Sequence, residues 1–221
     1  MNVDIARQIG AVTREVKSGT HDGKPTRVVI AARSYNTTIE DLWDAITNPE
    51  RLPRWFLPVT GDLQLGGHYQ LTGNAGGRIT RCDPPENLAL TWEIGGSVSW
   101  VAVQLSPDGK GGSRLELQHA SPVGGDADDF WNQFGPGAVG IGWELALTTG
   151  LDKHLTTGES VDPGVGANWP TTDDGRMFVQ LSSDAWRRAS VAFGTSEAGA
   201  ADAAARTTEF YTGMSHAASD D

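Results

Sequence analysis

The segment from Leu42 to Phe56, which reads LWDAITNPERLPRWF, decides the fold prediction for this chain. An apolar stripe at helical spacing runs into it, formed by Ile39, Leu42, Trp43 and Ile46. Thr38 precedes the stripe as a candidate N-cap. Asn48-Pro49 ends the helix, because the residue before a proline avoids the α region, and Pro49 can open a second short helix. The segment therefore predicts two short helices that end in an aromatic pair, Trp55 and Phe56.

Strands are predicted on both sides of this segment. Residues 26–35, TRVVIAARSY, are rich in β-branched side chains and favour a strand. After Pro58 the hydrophobic period changes from 3.6 to 2, and turn sequences such as Gly66-Gly67 separate the apolar runs. Short connections between successive strands favour an antiparallel meander. The predicted strands of this meander cover residues 59–65, 68–73, 76–82, 87–94, 98–105 and 113–119, and a further short strand is predicted over 11–16.

A long amphipathic helix is predicted over residues 138–156. Its apolar stripe runs from Val139 through Trp143 to Leu155, with Pro136 before its start and Gly158 after its end. Strand alternation places Leu88, Leu90, Trp92, Val101, Val103, Leu115 and Leu117 on one face of the sheet. We expect the long helix to cover that apolar face.

The C-terminal region is predicted to add a helical extension. Residues 158–170 are rich in glycine and proline and favour a linker, and helices are predicted over 182–195 and 197–211. The polar tail after Gly213 is predicted to be disordered. One hypothesis is that the helix carrying Trp186 and Phe193 covers the outer sheet face at Trp100, or that it mediates a homodimer.

Four motifs in this order resemble the SRPBCC superfamily, also called START-like or helix-grip proteins. They are PERLPRWF (49–56), GDLQLGGHYQL (61–71), CDPPENLALTWE (82–93) and GPGAVGIGWELAL (135–147). Within the superfamily the chain resembles bacterial proteins related to the activator of heat-shock-protein 90 ATPase. The resemblance implies an α+β fold, with a seven-stranded type of antiparallel sheet curved around a long C-terminal helix. The resemblance covers residues 26–157, which are predicted to be a START-like ligand-binding domain. An N-terminal lead (1–25) precedes this domain, and a linker with helical extension and polar tail (158–221) follows it outside the resemblance.

The resemblance also implies a cavity between the sheet and the long helix. Members of the superfamily bind lipids, hormones and polyketides, and some are cyclases, dehydratases or hydroxylase subunits. We therefore expect the chain to bind a small hydrophobic or amphipathic molecule, without a cofactor, through apolar burial and one or two polar contacts. The candidate ligand-binding residues are Trp55, Phe56, Tyr69, Trp92, His119, Trp131 and Trp143.

Two other classes of function stay open at this stage. A cyclase-type or dehydratase-type enzyme would use His119, which strand alternation turns inward, as a general acid or base, although an inward histidine is more often a hydrogen-bonded core residue. A protein-interaction module of the chaperone-cofactor kind is less favoured. The sequence has no Lys/Arg cluster comparable with the basic recognition surface of the eukaryotic activators. Binding without catalysis is therefore the favoured interpretation.

Composition argues against several other partners. The net charge of −11 disfavours nucleic acid and anionic membranes, which require clustered basic residues. A single cysteine and five histidines without metal-ligand spacing predict no metal site, and Asp126, Asp128 and Asp129 are interpreted as a solvated acidic loop. The G-x-G-x-x-G pattern at 135–140 does not follow a strand, as dinucleotide binding requires. Neither a signal peptide nor a membrane span is predicted, so we expect a cytoplasmic protein.

Overall fold

An eight-stranded antiparallel sheet curves around a long helix in the computed structural model, which describes residues 4–161 and 163–213. The strands are β1 (Thr13–His21), β2 (Lys24–Tyr35), β3 (Val59–Gly61), β4 (His68–Leu71), β5 (Gly76–Asp83), β6 (Asn87–Ile94), β7 (Ser97–Pro107) and β8 (Ser113–Pro122). Their order in the sheet is β1-β2-β8-β7-β6-β5-β4-β3. The predicted α+β helix-grip architecture is confirmed.

The edge strand β1 extends the sheet into the region predicted to be a polar lead. It pairs with β2 from Thr13↔Ala32 to His21↔Lys24, which leaves Asp22 and Gly23 as a two-residue hairpin loop. Both loop residues have positive φ, 50° for Asp22 and 73° for Gly23. Asp-Gly with this backbone matches the right-handed twist of the flanking strands, so it closes a tight hairpin. The sequence also predicts a turn over residues 20–25, which this hairpin confirms, but the strand before it continues to His21 instead of ending at Val16.

The segment from Leu42 to Phe56, here called the decisive segment, folds as its sequence predicts. Helix α1 (Ile5–Gly10) precedes the sheet, and helix α2 (Ile39–Thr47) begins where the Thr38 hydroxyl accepts the Asp41 N–H at 3.2 Å. A short 3₁₀ turn, Leu52–Arg54, follows. The Trp55 indole N–H then donates to the Ala45 carbonyl at 2.8 Å, which ties the turn to α2.

The predicted long helix is a continuous helical stretch, here called the grip helix (residues 137–157). It consists of α4 (Gly137–Glu144), a π-helical segment (Leu145–Asp152) and α5 (Lys153–Thr157). The sequence did not predict the π-helical segment. The Thr148 and Thr149 hydroxyls each donate to a carbonyl four residues earlier, and the buried Tyr35 hydroxyl donates to the Leu147 carbonyl at 3.0 Å. These bonds satisfy carbonyls in a segment where the normal helical pairing is shifted.

Helix α3 (Asp126–Phe134) replaces the predicted acidic loop. Its three aspartates lie in the first turn, where the positive end of the helix dipole stabilises negative charge. Asp128 also forms an ion pair with Arg27 of β2. Acidic residues at this position therefore form a helix start, so the loop interpretation was wrong.

The C-terminal region is more helical than predicted. Helix α6 (Pro163–Asn168) and a 3₁₀ turn (Trp169–Thr171) occupy much of the predicted linker. Helix α7 (Asp173–Phe193) begins well before the predicted position, because Thr172 caps it by accepting the Gly175 N–H. Helix α8 (Glu197–Thr212) confirms the last predicted helix. The tail predicted to be disordered lies outside the described residues.

The hypothesis that α7 covers the outer sheet face is wrong. Trp186 belongs to the main hydrophobic core together with Val12 and Val16, and its ring packs against Gly140 of the grip helix. On the outer face, the Trp100 ring instead stacks on the His21 ring at a centroid distance of 3.9 Å. The homodimer alternative stays a prediction.

Candidate functional site

A cavity of about 150 Å³ lies between the sheet and the grip helix. The decisive segment contributes Trp55 and Phe56 to its wall, the sheet contributes Tyr69 and Trp92, and the grip helix contributes Trp143 and Leu147. None of the side chains that line it is charged at neutral pH. The cavity is therefore an apolar, aromatic-lined space of the kind that holds small molecules.

Five of the seven sequence-predicted site residues line this cavity. They are Trp55, Phe56, Tyr69, Trp92 and Trp143. His119 and Trp131 do not belong to the lining. The contribution of any of these residues to ligand binding stays a prediction.

Four of the lining aromatic residues touch one another and form one surface, here called the aromatic wall (Trp55, Phe56, Trp92 and Trp143). Phe56 stacks between its neighbours, with ring centroids 5.5 Å from Trp55 and 6.0 Å from Trp143 at interplanar angles of 26°. Trp92 meets Trp143 edge to face at 5.0 Å. Such offset and edge-to-face contacts suit aromatic pairs, so the wall is fixed from three parts of the fold.

The polar atoms of the lining mostly bond to the protein. The Tyr69 hydroxyl donates to the Thr91 carbonyl at 2.7 Å, and burial raises the pKa of this tyrosine above its usual value. The Trp143 indole donates to His119 Nδ1 at 3.0 Å. Among the described residues, the Trp92 indole N–H has no hydrogen-bond partner and is not sealed from solvent or from the cavity. The protein therefore leaves this donor unpaired.

His119 is a buried, hydrogen-bonded residue behind the aromatic wall. Indole nitrogen only donates, so His119 Nδ1 must accept from Trp143, and the ring proton lies on Nε2. Nε2 lies 2.8 Å from the Ser99 hydroxyl oxygen. Burial lowers the pKa of His119 to about 4. Both ring nitrogens are occupied, so in this geometry neither is free to exchange a proton with a molecule in the cavity.

The depressed pKa of His119 predicts a loss of stability in mild acid. The pKa falls from 6.5 to about 4 on folding, so the unfolded chain takes up a proton at a pH where the folded chain does not. The stabilising contribution is complete above pH 6.5 and is lost progressively as the pH falls toward 4. Between pH 7 and pH 4, we expect the free energy of unfolding of the wild type to fall by about 3 kcal/mol more than that of a His119→Gln variant.

Urea unfolding at several pH values measures this difference. Glutamine can still accept from Trp143 and donate to Ser99 but does not titrate in this range, so the variant isolates the imidazole. Parallel pH dependences for the two proteins would contradict the assignment.

Trp131 lies on α3, away from the cavity. The Arg27 guanidinium lies 5.1 Å from the centre of its ring, and the Phe193 ring meets it edge to face at 6.2 Å. It therefore helps to attach α3 to β2 and α7. The sequence placed it near the cavity mouth because α3 was interpreted as a loop.

Several residues that line the cavity were not among the predicted ligand-binding residues, although the sequence placed them on the inner face of the sheet. Leu88, Leu90, Val101, Val103, Leu115 and Leu117 line the cavity, on the sheet face that strand alternation assigned to the interior. Cys82, a free thiol in the lining, was not among the predicted site residues. Period-two alternation carried this information, but it does not separate residues that face a cavity from residues that fill a core.

Across residues 4–161 and 163–213, no three or more His, Cys, Asp or Glu side chains are grouped so that they could hold a metal ion. No helix in the same ranges is long and apolar enough to cross a membrane.

Comparison with known proteins gives one family and several similar structures. The family described as Activator of Hsp90 ATPase homolog 1-like protein matches residues 36–156. The crystal structure of CalU16 from Micromonospora echinospora is 29% identical over 84% of this chain and 99% of that chain, with a TM-score of 0.63. Its solution NMR structure is 30% identical over 84% of this chain and 97% of that chain, with a TM-score of 0.68.

A more distant structure shares the fold alone. A conserved protein of unknown function from Enterococcus faecalis is 14% identical over 83% of this chain and 93% of that chain, with a TM-score of 0.55. No curated protein matches the chain.

Proposed function

The chain belongs to the Activator of Hsp90 ATPase homolog 1-like family, within the START-like helix-grip proteins, and on this premise we propose that it binds a small uncharged hydrophobic molecule. The binding site is the cavity between the sheet and the grip helix. The observation that carries the proposal is a fully uncharged lining in which four aromatic rings form a continuous wall.

The lining selects against charged ligands. An ionised group transferred into an apolar site without a partner loses hydration that nothing replaces, and this costs several kcal/mol or more. An uncharged ring loses little hydration and gains roughly 25 cal/mol for each Å² of apolar surface removed from water. An amphipathic ligand fits only if its polar end stays outside the lining or accepts the free Trp92 N–H.

Cavity size favours a compact ligand. The volume of about 150 Å³ lies below the ~300–1,000 Å³ of pockets for drug-sized ligands. An apolar cavity of about 150 Å³ in another protein accommodates benzene. A single-ring compound therefore fits without rearrangement, whereas a long acyl chain requires the aromatic wall to move.

Methyl benzoate and benzoate form a matched pair of probes for this proposal. Each compound contains a single benzene ring, but only the ester, methyl benzoate, is uncharged at neutral pH. We expect methyl benzoate to raise the melting temperature and benzoate to have no effect, because ligand bound only to the folded state stabilises it by about 2.7 kcal/mol at 100 times Kd.

A cavity-filling variant tests whether the ester binds at this site. Val103→Phe places a ring into the lining and should abolish the shift, whereas Ala102→Phe points to the opposite, exposed face and should keep it. Equal responses to ester and acid, or an unchanged shift in Val103→Phe, would count against the proposal.

The cyclase or dehydratase alternative has less support. Its candidate residue, His119, donates its Nε2 proton to Ser99, accepts from Trp143 at Nδ1, and lies outside the lining. A reaction would require another proton-transferring group in the cavity. The lining offers the hydroxyls of Tyr69 and Thr47, which both already donate to backbone carbonyls, and the Cys82 thiol.

A further inference from the structure

Three phenylalanine rings form a continuous surface on helices α3 and α8, here called the phenylalanine strip (Phe130, Phe134 and Phe210). Phe130 and Phe134 lie one turn apart on α3 with ring centroids 5.1 Å apart, and the Phe210 ring of α8 lies 5.4 Å from Phe134. Phe130 is 44% exposed and Phe210 is 60% exposed. Single exposed apolar side chains are ordinary, but a contiguous exposed patch indicates an interaction site.

Other contacts hold the two helices in place. Helix α3 is attached to the sheet through Asp128, which pairs with Arg27, and through Trp131, whose ring lies beside the same guanidinium. The Thr207 hydroxyl of α8 donates to the Phe134 carbonyl at 2.9 Å. The exposed rings are therefore not what positions the helices, and they are available for contact with another molecule.

Charged side chains of opposite sign lie at the two ends of the phenylalanine strip. The exposed Asp126 precedes Phe130 by one turn of α3. Arg206 precedes Phe210 by one turn of α8, and its Nε donates at 2.6 Å to a carbonyl in the last turn of α3. This acceptor is uncharged, so the guanidinium keeps its net charge. The strip therefore runs from an acidic end to a basic end.

A second copy of the chain complements both ends of the strip at once. In a two-fold symmetric contact the same patch meets itself in the opposite direction, so Asp126 of each copy meets Arg206 of the other. A purely basic partner would oppose Arg206, and a purely acidic partner would oppose Asp126. The net charge of −11 makes two copies repel each other, but charges more than about 8 Å apart are largely screened at physiological salt.

We propose that the phenylalanine strip is the contact surface of a homodimer, in which α3 and α8 of one copy pack against α3 and α8 of another. None of its three residues lines the ligand cavity, so the proposal does not depend on the proposed ligand. The strip is small beside the ~1,200–2,000 Å² that stable complexes bury, so the dimer is weak, with a Kd on the order of 100 μM.

Sedimentation equilibrium of the full chain tests the proposal at concentrations about tenfold below and about tenfold above that Kd. We expect the average mass to rise from one chain toward two. Phe210→Ser removes an exposed ring and should abolish the rise. Met177→Ser on α7 removes a similarly exposed apolar side chain, 56% exposed, and should keep it. Asp126→Arg places like charges opposite each other in both symmetric contacts and should weaken association by about tenfold.

NMR spectra of the wild type at the same concentrations provide a measurement that does not depend on how the variants fold. The amide signals that shift on dilution should belong to α3 and α8. A wild type that stays monomeric over this range would overturn the proposal and leave the strip to residues 214–221 or to another protein. Undiminished association in Phe210→Ser, or dilution shifts confined to other elements, would place the contact elsewhere and overturn it as well.

Discussion

Replacing Glu144 with alanine is expected to destabilise the protein by about 3–5 kcal/mol, because the change leaves a buried charge without its partner. Glu144 is 0% exposed and lies on the grip helix. Its two carboxylate oxygens accept from Arg14 Nε at 2.6 Å and Nη2 at 2.8 Å, and the Ser182 hydroxyl donates to it at 2.8 Å. One carboxylate therefore joins β1, the grip helix and α7. Its removal leaves the largely buried Arg14 guanidinium without a counter-charge, with only the Ile9 and Val12 carbonyls as acceptors.

Two control variants separate the cost of an orphaned charge from the worth of the ion pair. In the double variant Arg14→Met/Glu144→Leu no charge remains, so we expect it to recover much of the lost stability. Asp83→Ala breaks a pair whose side chains are both 57% exposed and should change the free energy of unfolding by about 1 kcal/mol or less. Urea unfolding gives all four values, and a loss below about 1 kcal/mol in Glu144→Ala would refute the account.

The sequence could predict the elements whose signals are local. Thr38, Pro49 and the apolar stripe between them specify α2 and the turn after it, and alternation specifies the inner face of the sheet. The buried ion pair of Arg14 and Glu144 could not be predicted in this way. The two residues are far apart in the sequence, and each looks like an ordinary exposed residue until the fold brings them together.

In the candidate site too, the sequence predicted features with a local signal and missed those that depend on contacts between distant residues. Strand alternation places Trp92 on the inner face of the sheet, and the segment after α2 was expected near the cavity mouth with Trp55 and Phe56. All three residues line the cavity. His119 was predicted to point inward and does so, but its partners Ser99 and Trp143 lie on other elements. A pattern along one strand cannot show that a neighbouring element occupies both ring nitrogens, which is what weakens the case for catalysis.

Replacing Gly140 with alanine is expected to destabilise the protein by about 3 kcal/mol, at the upper end of the range for overpacked cores. A Cβ at this position would lie 2.5 Å from Cζ2 and Nε1 of Trp186, and closer still to Cε2. The indole is rigid and 1% exposed, so it cannot rotate into solvent to relieve the clash. Either the grip helix or α7 must shift.

Gly199→Ala in α8 is the matched control for this change. Both glycines are helical, but the nearest atom to a Cβ at Gly199 is the Ser196 hydroxyl oxygen at 3.1 Å, at the helix cap. Alanine costs less backbone entropy than glycine in a helix, so this variant should be neutral or more stable by about 0.5–1 kcal/mol. Loss of stability in both variants would point to a general intolerance of these helices rather than to the Trp186 contact.

The contact between Gly140 and Trp186 also links stability to the ligand cavity. Gly140 lies about one helical turn before Trp143, whose ring is in the aromatic wall. A shift of the grip helix that relieves the clash must therefore move Trp143 against Phe56 and Trp92. We therefore expect Gly140→Ala to weaken methyl benzoate binding as well as to lower stability. The double variant Gly140→Ala/Trp186→Leu should recover part of the stability and part of the binding, because the smaller leucine side chain removes the cause of the shift. Recovery of stability without recovery of binding would show that the wall is positioned independently of α7.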